Sequence, residues 1–416
     1  MFYPSEIVPG KIADSKLARK GRQSYEWAVS RMSIVEKIRT KNESTQPLAG
    51  FRLGFCLHIT KETSVLAMAA KKLGADIAIC SANPLSTKDD IAAFLYNKGL
   101  NVYAWRGETD SEYQECIRNV LAFRPTIVTD DGGDLHSMAH RQAVKSIVGG
   151  TEETTSGVNR LMALEEAGRL LYPIIAVNNA RTKYLFDNRH GTGQSTLDGI
   201  LRASGILMAG KNVVVCGYGW VGKGVAARAR GLGAIVIVTE VDPIKAIEAK
   251  MDGFEVMRLS DAAPAGDVFI TCTGQRGVIR KEHFLKMKDS VILANAGHFD
   301  VEIDIDSLYA IGHRPLQIKP NIECFDVNGK RLFLLSKGRV VNLVAADGHP
   351  PEVMALSFAN QLLSILHIVK NHDKMEVKVR GVPEKLDEQV GSYALDAMGI
   401  RIDEMTEEQK RYINSS

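Results

Sequence analysis

Two spacings of apolar residues alternate along most of this chain. From residue 51, "FRLGFCLHIT" is a compact apolar run of strand type, and "KETSVLAMAAKKLGA" (61–75) places its apolar positions at helical spacing. "DIAICSAN" (76–83) is strand-like, "TKDDIAAFLYNKG" (87–99) helical, and "LNVYAW" (100–105) strand-like. "SEYQECIRNVLAF" (111–123) is helical again, and "PTIVTDDGGD" (125–134) reads as a strand running into a glycine loop. A helical stretch over 13–40, apolar around Ala18, Tyr25, Ala28 and Ile34, comes before them. A long helical pattern, "QSTLDGILRASGILMAG" (194–210), leads into a second alternating series that runs to "VVNLVAADGHP" (340–350). An amphipathic helix follows Pro350, then a charged tail from about 375 to Ser416. Strands alternating with helices predict parallel sheets covered on both faces. The expected fold class is α/β, with two doubly wound domains and a C-terminal appendage.

The length of 416 residues agrees with that division, since one hydrophobic core seldom grows so large. A formal net charge of +3 gives no reason to expect nucleic acid or an acidic membrane as partner. Six cysteines without a CxxC pair argue against zinc and against a disulfide framework, and fit a reducing cytoplasm. The start "MFYPSEIVPGKIADSK" has no apolar core of signal-peptide length, and no apolar run approaches the roughly eighteen residues of a membrane span. The expectation is a soluble cytoplasmic protein with no membrane partner and no metal.

The sharpest local pattern is "VVVCGYGWVGKGVAARARGLGAIVIVTE" (213–240). Gly217, Gly219 and Gly222 occupy the GxGxxG positions: one for the tight turn, one for close approach to a pyrophosphate, one for helix–strand packing. A bare match is weak. Here a strand precedes it, a helix follows, and the next strand delivers Glu240 about twenty residues on, where ribose hydroxyls are read. The pyrophosphate would meet the free amides of the helix N-terminus. An acid at Glu240 repels a 2′-phosphate, so NAD is expected rather than NADP.

In doubly wound sheets ligands sit at the carboxyl ends of strands. The polar residues just past those ends are His58, Thr60, Glu62, Asn83, Asp130, Asp131 and Asp134. Each also has a plainer reading. A histidine after a strand can be structural, "DDGGD" can be an acidic turn or a metal loop, and "EETT" can be a helix N-terminus whose acids the dipole favours. Lys183 and Asp187 can be a surface pair on a helix.

Taken together, "CLHITKET" (56–63), "YAWRGETDSEY" (103–113), "TDDGGDL" (129–135), "EETTSGV" (152–158), "TKYLFDN" (182–188), "NAGHFDVEID" (295–304) and "VNLVAADGHP" (341–350) resemble the S-adenosylhomocysteine hydrolase family over nearly the whole chain. The resemblance implies a substrate domain formed by 1–185 and 350–375, an inserted NAD domain at 190–348, and an oligomerisation tail at 376–416. It implies reversible hydrolysis of S-adenosylhomocysteine to adenosine and homocysteine, a step of the methyl cycle. NAD oxidises the ribose 3′-hydroxyl, the ketone acidifies the 4′ proton, homocysteine leaves the 5′ carbon, water adds, and the hydride returns. A homotetramer is also implied.

By the same resemblance, the catalytic residues are His58, Asp131, Glu153, Lys183, Asp187, Asn188 and His298. Lys183 would serve as base for the 3′-hydroxyl if its surroundings lower its pKa. Asp187 and Asn188 would orient it, and His58 with Asp131 would handle protons at the 5′ position. Glu153 would bind the ribose hydroxyls. Thr60 and Glu62 would read adenine, with His349 and Met354 at the lip of its pocket. Thr154, Thr155, Asn188, Val221, Asn295 and Asn342 would touch NAD beside the glycine turn.

Three positions depart from the family pattern. Thr192 stands where many members carry cysteine, Trp220 replaces an acid common in the glycine turn, and Lys245 replaces an asparagine near the NAD ribose. The tail stops before a Lys and Tyr segment that in many members reaches a neighbouring subunit's NAD, so looser cofactor retention is expected. An S-inosylhomocysteine hydrolase, an NAD-dependent hydroxy-acid dehydrogenase and a non-catalytic NAD-binding regulator stay open as alternatives.

Overall fold

The computed structural model describes residues 9–312 and 314–414, so the first eight residues and the last two of the tail lie outside it. The first sheet contains Lys11–Ile12 (β1), Arg52–Cys56 (β2), Asp76–Cys80 (β3), Asn101–Ala104 (β4), Ile127–Asp130 (β5), Gly149–Glu152 (β6) and Ile174–Ala176 (β7). They lie in the order β1-β4-β3-β2-β5-β6-β7, and a strand from the far end of the chain, Val379–Gly381, adds beside β7. Every pairing in this sheet is parallel. The order reverses between β2 and β5, whose last residues, Cys56 and Asp130, face each other in register. His58 and Asp131 therefore emerge side by side at the crevice where such sheets hold ligands.

The second sheet contains Asn212–Cys216 (β8), Ile235–Thr239 (β9), Glu255–Val256 (β10), Val268–Thr271 (β11), Val291–Asn295 (β12), Leu316–Lys319 (β13), Ile322–Val327 (β14) and Lys330–Leu335 (β15). Its order is β10-β9-β8-β11-β12-β15-β14-β13, parallel up to β15 and antiparallel across the final hairpin. This order reverses between β8 and β11, and the glycine turn follows β8. Strands such as Val213–Cys216 are buried on both faces, so they read as apolar runs without alternation.

The chain passes between the domains through a π-helical segment, Tyr184–Gly191, and the helix Thr192–Ser204. Two glycines let these elements close up: a Cβ on Gly193 would lie 2.6 Å from the Gly224 carbonyl carbon, and one on Gly224 only 1.7 Å from Arg189 O. The chain returns through the helix Pro351–Asn371. This is the one helix among the described residues long and apolar enough to cross a membrane; 67% of its most apolar window is buried against the protein, as a core helix would be. The segment expected from 376 as a tail stays with the first domain as far as Met398. Asp387 accepts the amides of Arg181 (2.6 Å) and Thr182 (3.0 Å), and Val390, Tyr393 and Ala394 join the core. Those three apolar residues at helical spacing are what hold it there, and exposure begins after them.

Candidate active site

A cavity of about 600 Å³ opens between the carboxyl ends of the two sheets. At one end stand His58, Asp131 and His298. His58 Nε2 is 3.5 Å from Asp131 Oδ2, and His298 Nδ1 is 3.6 Å from Asp131 Oδ1. Ser86 Oγ lies 2.7 Å from His58 Nδ1 and fixes the ring. Burial holds His58 neutral, its pKa pushed down to about 4 despite the Asp131 carboxylate. His298 belongs to the second domain, and it reaches Asp131 only because residue 132 is glycine. Gly132 has φ +115°, and a Cβ there would fall 2.4 Å from His298 Nε2. These three residues bring ligand-capable atoms within 4.8 Å of one another, as do Asp130, His136 and Glu152 beneath them. In the lower group both His136 ring nitrogens are already engaged, with Tyr172 Oη and Thr151 O.

Toward the domain junction lies a second set of charges. Glu153, Lys183 and Asp187 are 4%, 4% and 2% exposed. Lys183 Nζ donates to Asn188 Oδ1 at 2.7 Å and sits 3.6 Å from both Glu153 Oε1 and Asp187 Oδ1. Burial alone would lower the Lys183 pKa, but Asp187 and Glu153 outweigh it and raise it above its ordinary 10.5. The sequence reading asked for a lowered value; the resting protein holds an ammonium instead. Asp187 stays ionised, since Lys183 and His349 hold it below its ordinary value against the pull of burial. Glu153 goes the other way, up to about 7, because burial outweighs Lys183.

From Asp187 the network continues to the departure at Thr192. His349 Nδ1 is 3.1 Å from Asp187 Oδ1, while its Nε2 faces Thr192 Oγ1 (3.1 Å) and Asn342 Nδ2 (3.2 Å). The amide and hydroxyl donate to Nε2, so His349 carries its proton on Nδ1 toward Asp187. Thr192, where many family members carry cysteine, thus enters the network as a hydrogen-bonding hydroxyl.

At the far end, Thr60 caps the helix Lys61–Lys72 and lines the cavity with Glu62 and Met354. The buried Glu62 Oε1 is ion-paired with Lys61 Nζ at 2.9 Å and meets no well-aligned donor among the described residues.

The glycine turn fits a dinucleotide. Gly217 has φ +100°, and a Cβ on Gly222 would lie 2.0 Å from Gly217 O, while one on Gly219 would meet nothing within 4 Å. Gly219 is thus open to the cavity, and the helix behind it, Trp220–Gly231, starts with no side-chain cap on its free amides. Asn342 Oδ1, buried without a partner, offers a further acceptor on the same wall. Thr154, Thr155, Val221 and Asn188 also line the cavity. Four of the expected cofactor residues do not, nor do the strand-end candidates Asn83, Asp130 and Asp134. Gly217 and Gly222 act by backbone packing. The Glu240 carboxylate accepts the amides of Tyr218 (2.7 Å), Val241 (2.7 Å) and Asp242 (3.1 Å), so it braces the turn. Asn295 is fully buried; its amide donates to the carbonyls of Gly297, Phe299 and Gly338, anchoring the loop that carries His298.

Several residues at the site escaped sequence reading. Ser86 orients His58; Glu302 accepts the Thr273 and Gly274 amides, both at 2.8 Å, on the cavity wall. Trp220, noted above only as a departure, stacks on Tyr184 with centroids 5.0 Å apart, tying the glycine turn to the domain junction. Ser357 and Gln361 both donate to Glu153. They sit among buried apolar residues, with Asn360 and Ser364 also buried on the same helix, so polarity alone did not single them out.

Two doubly wound domains closing on a cavity with a dinucleotide turn on one wall and buried acids and bases on the other define an NAD-binding enzyme acting on a small polar substrate. Comparison narrows this. The S-adenosyl-L-homocysteine hydrolase signature matches residues 10–146, and that of the family's NAD-binding domain matches 188–348. Adenosylhomocysteinase of Sulfurisphaera tokodaii is 55% identical over 97% of this chain and 98% of its own, and that of Sulfolobus acidocaldarius 54% over the same shares. An S-inosyl-L-homocysteine hydrolase of Methanocaldococcus jannaschii is 50% identical, again over 97% and 98%. The chain belongs to the S-adenosyl-L-homocysteine hydrolase family, and NAD is its cofactor.

Proposed function

We propose that this enzyme reversibly hydrolyses S-adenosyl-L-homocysteine to adenosine and L-homocysteine. The observation that carries the reading is that one cavity joins three things: a dinucleotide turn, the Glu153–Lys183–Asp187 set, and the His58–Asp131–His298 group. When bound, NAD supplies a hydride acceptor for the ribose 3′ carbon and returns the hydride at the end. The chain's residues do the rest. Glu153 accepts from the ribose hydroxyls, and Lys183, whose resting ammonium first gives a proton to solvent, takes the 3′-hydroxyl proton as the hydride leaves and then donates to the 3′ oxygen. Asp187 and Asn188 hold that ammonium in place. Neutral His58 takes and gives protons at the 5′ carbon, where the thiol leaves and water enters, with Asp131 stabilising its charged form. His298 covers that end from the second domain.

The Glu62 carboxylate favours adenine, whose 6-amino group donates. Hypoxanthine would set an oxygen against the carboxylate, at a cost of about 1–3 kcal/mol. One observation keeps S-inosylhomocysteine as a second reading: Lys61 Nζ, 2.9 Å from Glu62, could donate to that oxygen, and a relative of 50% identity bears that name.

We further propose a cytoplasmic homotetramer serving the methyl cycle, without nucleic acid or membrane partners. Its substrate domain would be 1–185 with 350–375, its NAD domain 190–348, and its subunit contacts would use the exposed end of the tail. Unpaired cysteines and exposed apolar residues there, Ile402, Met405 and Ile413, support this. The test is thiol release from S-adenosylhomocysteine by purified protein with no NAD added and adenosine deaminase present, run beside S-inosylhomocysteine. Release from the first supports the reading, and release from the second alone transfers it to the inosyl substrate. Net NADH accumulation with no thiol would mark a dehydrogenase, and silence in all three a regulator.

A further inference from the structure

The return helix Pro351–Asn371 is built mainly of core residues, and Leu356, Phe358 and Leu362 on it are buried. Ser357 and Gln361 are also buried, at 0% exposure, and lie four residues apart on one face. Both reach the same carboxylate. Ser357 Oγ donates to Glu153 Oε1, and Gln361 Nε2 donates to Glu153 Oε2 at 2.5 Å. We infer that Ser357 and Gln361 are positioning residues for this reaction, holding the Glu153 carboxylate charged and aimed at the ribose hydroxyls.

Glu153 is surrounded by Asp187 and Asp131, which repel its negative form, and by Lys183, which attracts it. Burial adds to the repulsion, so the group sits near the point at which it would take a proton. A protonated Glu153 would present a hydroxyl to the sugar and lose half its accepting capacity. Each donor from the helix favours the charged form, one on each oxygen, and leaves a further lone pair on each for the ligand. Packing alone would have been served by leucine at both positions. Because the helix follows the NAD-domain insertion, chain return and sugar recognition share one contact.

This inference rests on the reading of Glu153 as the sugar's acceptor, and the experiment separates the two. Adenosine affinity and kcat/KM are measured against pH for NAD-loaded full-length wild type, E153Q, S357A, S357T and Q361M. The expected result is an acid limb displaced upward by about one pH unit in S357A and Q361M, hence about a tenfold loss near pH 6.5. Both should converge on wild type at about pH 9. S357T, which restores the hydroxyl, should bring the limb back. A loss equal at every pH, or an unmoved limb, while E153Q abolishes adenosine binding, would overturn the positioning role. If E153Q binds adenosine normally, the reading of Glu153 fails and takes this inference with it. Should S357A not fold, the Q361M and S357T pair decides alone.

Discussion

Gly132→Ala gives the most direct test of how the two domains meet at the 5′ end. Two effects add. The backbone at 132 has φ +115°, a region essentially reserved for glycine, where an alanine costs on the order of 1–3 kcal/mol. The new methyl would also lie 2.4 Å from His298 Nε2 and 3.0 Å from its Cδ2, so the ring must retreat by about 1 Å to reach ordinary contact. Retreat is obstructed. The His298 ring stands edge-on to Phe299 with centroids 4.5 Å apart, and Phe299 carries the Arg160 guanidinium 4.3 Å above its own ring. Misplacement by about 1 Å costs about 100-fold in rate. The damage should fall first on the 5′ end, because the three atoms nearest the new methyl all belong to His298. Thiol release is therefore expected to fall about 100-fold, while reduction of bound NAD by adenosine, followed by its near-ultraviolet absorbance, changes by no more than about threefold. Gly133→Ala is the control: its φ of +79° is also strained, but its Cβ would meet Gly157 Cα at 3.3 Å and not His298. It should lose stability and keep the ratio of the two half-reactions. If Gly132→Ala preserves thiol release, or lowers both half-reactions equally, the claim that this glycine admits His298 to the 5′ end is wrong.

Lys183→Met removes the cation between two buried carboxylates and should cost about 3–5 kcal/mol in urea unfolding at neutral pH. Because the folded lysine has a raised pKa, its stabilisation is complete below 10.5 and is lost as pH rises through the folded value, so wild type should show an alkaline decline that the variant lacks. On the acid side, His58 and His136 have pKa values pushed down to about 4 and about 3, so between those values and 6.5 the unfolded chain binds the protons. Stability should then fall as pH drops below 6.5, by about 1.4 kcal/mol per pH unit for each histidine, and His58→Gln should flatten the slope by one share. Thr192→Val deletes the hydroxyl 3.1 Å from His349 Nε2 and should slow adenosine-driven NAD reduction about tenfold, with Thr192→Ser restoring it; equal rates would remove Thr192 from the network.

What could be read from the chain was what is local. The alternation of strand and helix periods located both sheets because parallel strands, buried on two faces, leave short apolar runs between amphipathic helices. Gly217, Gly219 and Gly222 were legible because their constraint lies within one turn. Glu240 was placed correctly at the end of β9, yet its engagement with three turn amides could not be seen, because hydrogen bonding there depends on how the turn folds back. Asn295 shows the same limit: its position beside the site was readable, and its consumption by three carbonyls was not. The return helix was found, but Ser357 and Gln361 act across more than 200 residues of sequence on Glu153, and no spacing rule carries that far. The packing of the tail was hidden for a related reason: its charges outnumber Val390, Tyr393 and Ala394, which join the core, and the partners of Asp387 lie about two hundred residues away.

Lys183 shows why charge state needs the fold as well. As a residue type near a ribose hydroxyl it suggests a base, and a base must be neutral. Its neighbours forbid this at rest: two carboxylates at 3.6 Å and the Asn188 carbonyl oxygen at 2.7 Å all favour the ammonium. Those same neighbours are the groups that meet a sugar. When ribose hydroxyls donate to Glu153, part of that carboxylate's charge is spent on them, and its hold on the lysine weakens. Positive charge brought into the same cavity acts in the same direction. On the proposed reading, ligand binding shifts Lys183 back toward the neutral amine that a base for the 3′-hydroxyl must be, its proton passing to solvent. On that reading, sugar recognition by Glu153 and proton transfer by Lys183 meet at the 3.6 Å contact between them, while Asp187 holds the same ammonium at the same distance. A carboxylate held near its protonation point is suited to that coupling, since a modest change in its surroundings alters its charge most.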